Sequence, residues 1–150
     1  MMNKRTFLKS TILSIIMCGL ICVFNGCKGD VSFSTASLSE ATICISVDTT
    51  TGQAVEKGDV FTTDTAEIFC SVKLSNGPDE TQILAQWIYI KGDLEGVTDH
   101  KINETSLAAD GTKYLWFSIS QPDNGFPKGD YACKIFLNGK EKFSVPFKVQ

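Results

Sequence analysis

With 150 residues, the chain has the length of one domain. Its 17 acidic side chains outnumber 14 basic ones, and the resulting net charge of −3 at pH 7 is repelled by phosphate backbones. The composition therefore argues against a nucleic-acid partner, and the sequence contains no internal repeat that would indicate a second domain.

The first 24 residues combine a basic start with a short apolar run. The basic residues are Lys4, Arg5 and Lys9, and residues 12–24 are almost uninterruptedly apolar. A helix that crosses a bilayer needs ~20 apolar residues, whereas the core of a signal peptide needs only ~7–15. The 13 residues of this run therefore favour a signal peptide.

A cysteine closes this segment. Small Gly26 directly precedes Cys27, whereas bulky Met17 and Ile21 precede the two earlier cysteines. The segment resembles the lipobox of bacterial lipoproteins, in which a small residue stands before the cysteine that becomes diacylated. The resemblance implies a signal peptide at residues 1–26, lipidation of Cys27 and an extracytoplasmic location in the bacterial cell envelope. An ordinary secreted protein and an uncleaved N-terminal anchor are the alternatives.

Lipidation would attach the protein to the membrane without any basic surface. Two acyl chains contribute ~0.8 kcal/mol per buried methylene, which gives stable anchoring where one chain would be marginal. Without residues 1–26, 11 basic and 17 acidic side chains remain, a net charge of −6. We interpret residues 27–40 as the lipidated cysteine and a serine-rich flexible tether with a reach of ~20 Å. Alternatively, residues 31–38 begin the first strand.

Residues 41–150 are predicted to form a single β-domain. Segments rich in β-branched and aromatic residues lie at 41–48, 66–74, 82–91, 112–120, 129–138 and 142–149, with weaker strands near Val60 and within 97–105. Turn residues separate them at 76–79, 110–111, 122–125 and 138–139. Asn138-Gly139 between two apolar segments predicts a two-residue β-hairpin. These elements suit an antiparallel sandwich of seven or eight strands.

Four residues place this domain near a known fold. Cys70 lies on the second strand, Trp87 on the third, and Tyr131 stands two residues before Cys133. The pattern resembles an immunoglobulin-like or fibronectin-III-like sandwich, which implies an inter-sheet cysteine pair, a core tryptophan and a tyrosine corner. Residues 126–149 are also similar to uncharacterised bacterial surface domains, and this similarity implies location and fold but no activity.

The cysteines left after Cys27 allow at most one internal bridge. Period-2 alternation places Cys70 and Cys133 on core-facing positions, whereas Cys44 should face the other way. A Cys70–Cys133 disulfide is favoured over a Cys44–Cys70 bridge or three reduced thiols. Strand positions so far apart lack the close spacing of a zinc site, so no metal is expected.

No catalytic set is recognisable in the chain. The one histidine, His100, lies in a polar segment without a nucleophile motif, and neither a phosphate-binding loop nor a dinucleotide fingerprint is present. Carboxylates that a glycosidase could use are abundant but show no pattern that brings two together. We therefore expect a protein that is not an enzyme and needs no cofactor.

Aromatic residues on two strands are the best candidates for binding. Tyr114 and Trp116 share one face of the 112–120 strand, and Tyr89 alternates with apolar neighbours on another strand. Because a sandwich buries one face of each sheet, some of these rings are expected on the surface unless loops cover them. Exposed rings could stack on sugars or anchor a partner protein.

Together these features predict a non-enzymatic, membrane-anchored module that binds an unknown protein or glycan. One alternative is an accessory subunit of an envelope complex that uses its edge strands, and another is a small carboxylate-based hydrolase.

Replacing Cys27 with serine tests the anchor. Serine lacks the thiol that accepts the diacylglycerol, so the protein should leave the membrane fraction or accumulate as uncleaved precursor. Cell fractionation and lipid labelling measure this directly. Unchanged processing and labelling would contradict the lipoprotein interpretation.

Overall fold

The computed structural model describes residues 35–150, and these form strands with no helix among them. The strands are β1 (Ser37–Val47), β2 (Ala54–Lys57), β3 (Val60–Phe61), β4 (Glu67–Gly92), β5 (His100–Ser120), β6 (Gly129–Leu137) and β7 (Lys140–Val149). The all-β class is confirmed. The predicted signal peptide, Cys27 and tether residues 27–34 lie outside the described residues. Within residues 35–150, none of the chain forms a helix long and apolar enough to cross a membrane.

A long, bent ribbon of β4 and β5 is the centre of the sheet. The two strands pair antiparallel along their whole length, from Glu67 opposite Ser120 to Tyr89 opposite His100. The register is irregular where Gly77 lies opposite Gly111, and Gly111 has a positive φ of 68°. The sequence predicted four separate strands here. That prediction is wrong because the turn residues on the two strands lie opposite each other and bend both strands together.

The bend divides the partners of β4 between its two halves. The first half pairs with β1, and the second half pairs with β6. The strand order is β2-β1-β4-β6-β7-β3, with β5 beside β4. The predicted sheet was antiparallel throughout, but β3 and β7 run parallel, with Val60 opposite Lys148. A two-residue strand reached through a loop can add to an edge in either direction, so sequence alone did not fix this pairing.

The first strand begins earlier than predicted. Ser37 lies opposite Ser75 of β4, so residues 37–40, assigned to the tether, belong to β1. A register shift between Ser39 and Thr42 leaves Glu40 with a positive φ of 55°. β2, which the sequence did not predict, pairs with the end of β1.

Inward side chains from both halves of the ribbon form one hydrophobic core. The rings of Trp87 and Phe147 meet edge to face with 5.9 Å between centroids, and Tyr131 stacks on Phe147 at 5.1 Å. Fully burying a large apolar side chain stabilises a fold by about 1.5–3 kcal/mol. This core therefore holds the curled sheet together. Its remaining large members include Ile68, Val72, Leu74, Ile83, Tyr89 and Ile135.

Two local predictions are confirmed. Asn138 and Gly139 connect β6 and β7 with φ of 48° and 79°, which are the positive values of a type I′ hairpin turn. The hydroxyl of Tyr131 donates a 2.5 Å hydrogen bond to the Pro127 carbonyl in the preceding loop, while the ring is buried. Burial raises the pKa of Tyr131 to about 12, so the phenol remains a neutral donor.

Two substitutions at Tyr131 distinguish the contribution of its hydroxyl to stability from that of its ring. Tyr131→Phe removes one hydrogen bond and should cost about 1 kcal/mol, whereas Tyr131→Ala also empties the core and should cost about 3–5 kcal/mol. Urea melts measure both values. A Tyr131→Ala midpoint close to that of the wild type would show that the ring does not support the core.

Candidate binding site

Three aromatic rings lie on the outward face of β4 and β5. Trp116 is 40% exposed, whereas its neighbours Phe117 and Leu115 point inward or are partly covered. The rings of Trp116 and Phe69 meet edge to face with 5.8 Å between centroids. Tyr114 follows on the same face of β5 and is half-buried. We call Phe69, Tyr114 and Trp116 the aromatic strip.

A charged neighbour fixes the orientation of Tyr114. Its hydroxyl donates to Glu40 Oε2 at 2.5 Å, and Lys73 Nζ lies 3.3 Å from Glu40 Oε1 and 5.5 Å from the centre of the Tyr114 ring. The hydrogen bond from Tyr114, and then the Lys73 ammonium, hold the pKa of Glu40 below its usual value. The same hydrogen bond raises the pKa of Tyr114. At neutral pH the site therefore holds a carboxylate and a protonated phenol.

The loop between β1 and β2 is fastened beside the strip. The Asp48 carboxylate accepts hydrogen bonds from the backbone N–H groups of Thr50 and Thr51, at 2.8 and 3.1 Å. The buried hydroxyl of Ser71 donates to the carbonyl of Gly52 at 2.7 Å. A Cβ added to Gly52 would lie 2.7 Å from the Tyr114 carbonyl oxygen. Only glycine therefore allows the loop to approach β5 this closely.

Two cavities flank this contact. The first, which we call the aromatic cleft, has a volume of about 410 Å³ and is lined by Thr49, Thr50, Thr51, Gly52, Leu107, Lys113, Tyr114, Leu115 and Trp116. The second, the polar pocket, has a volume of about 240 Å³ and is lined by Glu40, Thr42, Gln53, Ala54, Lys57, Ser71 and Tyr114. Tyr114 lines both cavities, so an aromatic part and a polar part lie next to each other on either side of this contact.

A larger groove of about 630 Å³ lies at the β3–β7 edge. The rings that line it, Tyr131 and Phe147, are buried in the core, so little aromatic surface faces outward there. Its charged residues are Asp59, Asp130 and Lys148, and the last two pair with each other at 3.4 Å. The aromatic cleft and polar pocket are therefore the stronger candidate.

The predicted binding aromatics do not all come together. Tyr114 and Trp116 lie side by side in the site, but Tyr89 is only 2% exposed and packs edge to face on Tyr131 at 5.1 Å. Tyr89 is corrected to a core residue, because period-2 alternation places it on the inward face with Trp87. Its hydroxyl accepts a hydrogen bond from the Leu94 N–H.

Other parts of the site were missed from the sequence. Phe69 and Glu40 join it through strand pairing over long sequence distances, for which the sequence carries no local signal. The segment 48–52, with an aspartate, three threonines and a glycine, does carry the chemistry of a fastened turn.

The cysteines of the described chain are buried free thiols. Cys70 and Cys133 both lie in the core, and burial, followed by the neighbouring Cys70 thiol, raises the pKa of Cys133. Cys44 lies opposite Phe69 and points toward its carbonyl, and burial raises the pKa of Cys44 to about 11. The predicted Cys70–Cys133 contact is present, and the bridge itself stays a prediction.

The candidate catalytic and metal-binding side chains are scattered over the surface. His100 is exposed at the start of β5, and Glu104 accepts hydrogen bonds from Lys101 and Gln86. Nowhere in residues 35–150 do three histidine, cysteine or acidic side chains converge as a metal site would require.

No protein-family model matches the chain, and neither does any curated protein sequence. Among solved structures, the chain is similar to a Pseudomonas fluorescens alkylpurine DNA glycosylase bound to DNA (14% identity, TM-score 0.49), and it covers 30% of that protein with 77% of its own length. It is also similar to an uncharacterised Bacillus anthracis protein, with 12% identity and a TM-score of 0.42. This match covers 60% of this chain and 75% of that protein. A third similar structure is a β-D-glucoside glucohydrolase from Trichoderma reesei, with 12% identity and a TM-score of 0.44. This match covers 79% of this chain and 19% of that protein.

Gly52→Ala tests whether the loop contact shapes the site. The residue has a φ of 77° and faces the Tyr114 backbone, so alanine adds both strain and a clash. Gly139→Ala is the matched control, because Gly139 has a φ of 79° with nothing within 4 Å of the added Cβ. Gly52→Ala should cost about 1–3 kcal/mol more than the control in urea melts. Equal costs would show that the loop does not press on β5.

Proposed function

We propose that the protein is a lipid-anchored module of the bacterial cell envelope that binds a glycan at the aromatic cleft and polar pocket, without catalysing a reaction. The observation that carries this proposal is Trp116, an exposed ring next to a fixed Tyr114, with polar groups in reach on both sides. Sugar rings present an apolar C–H face and a hydroxylated rim, so they fit a site with an aromatic wall and hydrogen-bonding neighbours.

The polar groups of the site suit this ligand. Thr49–Thr51 line the cleft, and Gln53 and Thr42 line the pocket. Hydroxyl and amide groups both donate and accept hydrogen bonds, as sugar hydroxyls do. The site is also held in shape before binding, because Gly52 and Tyr114 are fixed by the hydrogen bonds of Ser71 and Glu40. Such preorganisation lowers the entropy that binding costs.

Glu40 supports a site that binds a ligand without catalysing a reaction. It is the carboxylate among the residues that line the two cavities, and both of its oxygens are already engaged by Tyr114 and Lys73. Glycoside hydrolysis commonly uses two carboxylates on either side of the scissile bond. The lining of this site supplies a binding surface instead.

We further propose that the curled sheet is an immunoglobulin-like sandwich. In this interpretation one layer consists of β2, β1 and the first half of β4, together with the part of β5 that pairs with it. The rest of β4 and β5 forms the other layer, with β6, β7 and β3. The contact between Cys70 and Cys133 and the Tyr131 hydrogen bond support it, since an inter-sheet cysteine pair and a tyrosine corner mark such domains.

A second candidate function is assembly through β5. Within the described chain this strand pairs only with β4, so one edge of 21 residues has no partner strand. Unpaired edges can add a strand from another protein. Irregularities at Gly111 and near Ile102 interrupt this edge, which disfavours a long continuous pairing and leaves glycan binding as the leading proposal.

The experiment is a glycan array probed with the detergent-solubilised full-length lipoprotein. Trp116→Ala removes the exposed ring and should weaken binding tenfold or more, equivalent to roughly 1.4 kcal/mol. Ile102→Ala is the control, because it truncates a similarly exposed apolar side chain on the other half of β5. Binding that Trp116→Ala and Ile102→Ala affect equally would contradict the proposal.

A further inference from the structure

The polar pocket contains an uncompensated positive charge. Glu40 and Lys73 lie 3.3 Å apart and neutralise each other, and Tyr114 occupies the other carboxylate oxygen of Glu40. Lys57 lines the same pocket, and no carboxylate of residues 35–150 lies within ion-pair distance of its ammonium. Glu40 and Lys57 line the pocket, and Lys73 pairs with Glu40 from outside the lining, so the charges of these three side chains sum to +1.

This local charge is opposite to that of the domain around it. The chain after Cys27 has 17 acidic and 11 basic side chains in total. Lys57 lines this pocket and a neighbouring cavity beside Asp59, and its ammonium has no ion-pair partner among residues 35–150, so it attracts an anionic group although the chain as a whole is acidic. The Gln53 amide beside Lys57 adds further donors for an acceptor-rich group.

We propose that the glycan bound by this protein is acidic, and that the polar pocket receives the carboxylate of one sugar while a neighbouring sugar stacks in the aromatic cleft. Tyr114 is the wall shared by the two cavities, so adjacent residues of one chain reach both. Lys57 pairs with the carboxylate. This inference rests on the proposed glycan-binding function and adds the class of sugar.

The test compares an oligogalacturonate with its carboxyl-reduced, neutral form, using the detergent-solubilised full-length lipoprotein in a calorimeter. The wild type should bind the acidic form more tightly, and added salt should reduce that difference. Lys57→Gln should weaken binding of the acidic form about fivefold or more and leave the neutral form unchanged. Lys142→Gln is the control, because it removes the same charge from an exposed position on β7.

The outcomes separate this inference from the function on which it rests. Equal affinity for the two forms, or equal effects of Lys57→Gln and Lys142→Gln, would overturn the acidic specificity. If Trp116→Ala still abolishes binding to neutral glycans on the array, the proposed function stands without it. Absence of Trp116-dependent binding to any glycan, acidic or neutral, would overturn both.

Discussion

The bend of the β4–β5 ribbon is the constraint on which the rest of the structure depends. Gly77 and Gly111 lie opposite each other between two register shifts, and pairing continues on both sides. Such irregularities bend the strands that carry them. The bend turns the inward faces of both halves toward one core, where Cys70 from the first half of β4 contacts Cys133 of β6. Without it, the apolar face of a 26-residue strand would have no partner to cover it.

The candidate site also depends on this geometry. Leu107 and Tyr114 lie on opposite sides of the bend in β5 and line the same cleft, so the change in direction forms one of its walls. The opposite wall is the Thr49–Gly52 loop, held by Ser71 and by the small size of Gly52. A rigid strand, a fastened loop and a hydrogen-bonded ring therefore set the shape of the site before any ligand arrives.

Local chemistry made several features predictable from the sequence. Asn138-Gly139 suits a type I′ turn, and alternation correctly placed Cys70 and Cys133 inward and Tyr114 and Trp116 on one face. The continuity of β4 and β5 was not predictable, because the residues that reverse a chain are the same ones that bend it. Tyr89 lies two residues after Trp87, the expected core tryptophan, so alternation itself places it inward and its assignment to the surface was wrong. Glu40 and Phe69 reach the site only through pairing between distant strands.

Disulfide formation between Cys70 and Cys133 is the most direct test of the bend. The reduced, unfolded protein is refolded with oxidised glutathione, which takes two electrons and two protons from a thiol pair as a disulfide forms. Peptide mapping by mass spectrometry then identifies the partners. The account predicts a Cys70–Cys133 disulfide with Cys44 free, because Cys70 and Cys133 both belong to the core cluster, whereas Cys44 lies outside it. A Cys44–Cys70 disulfide, or three free thiols under conditions that oxidise the unfolded chain, would contradict it.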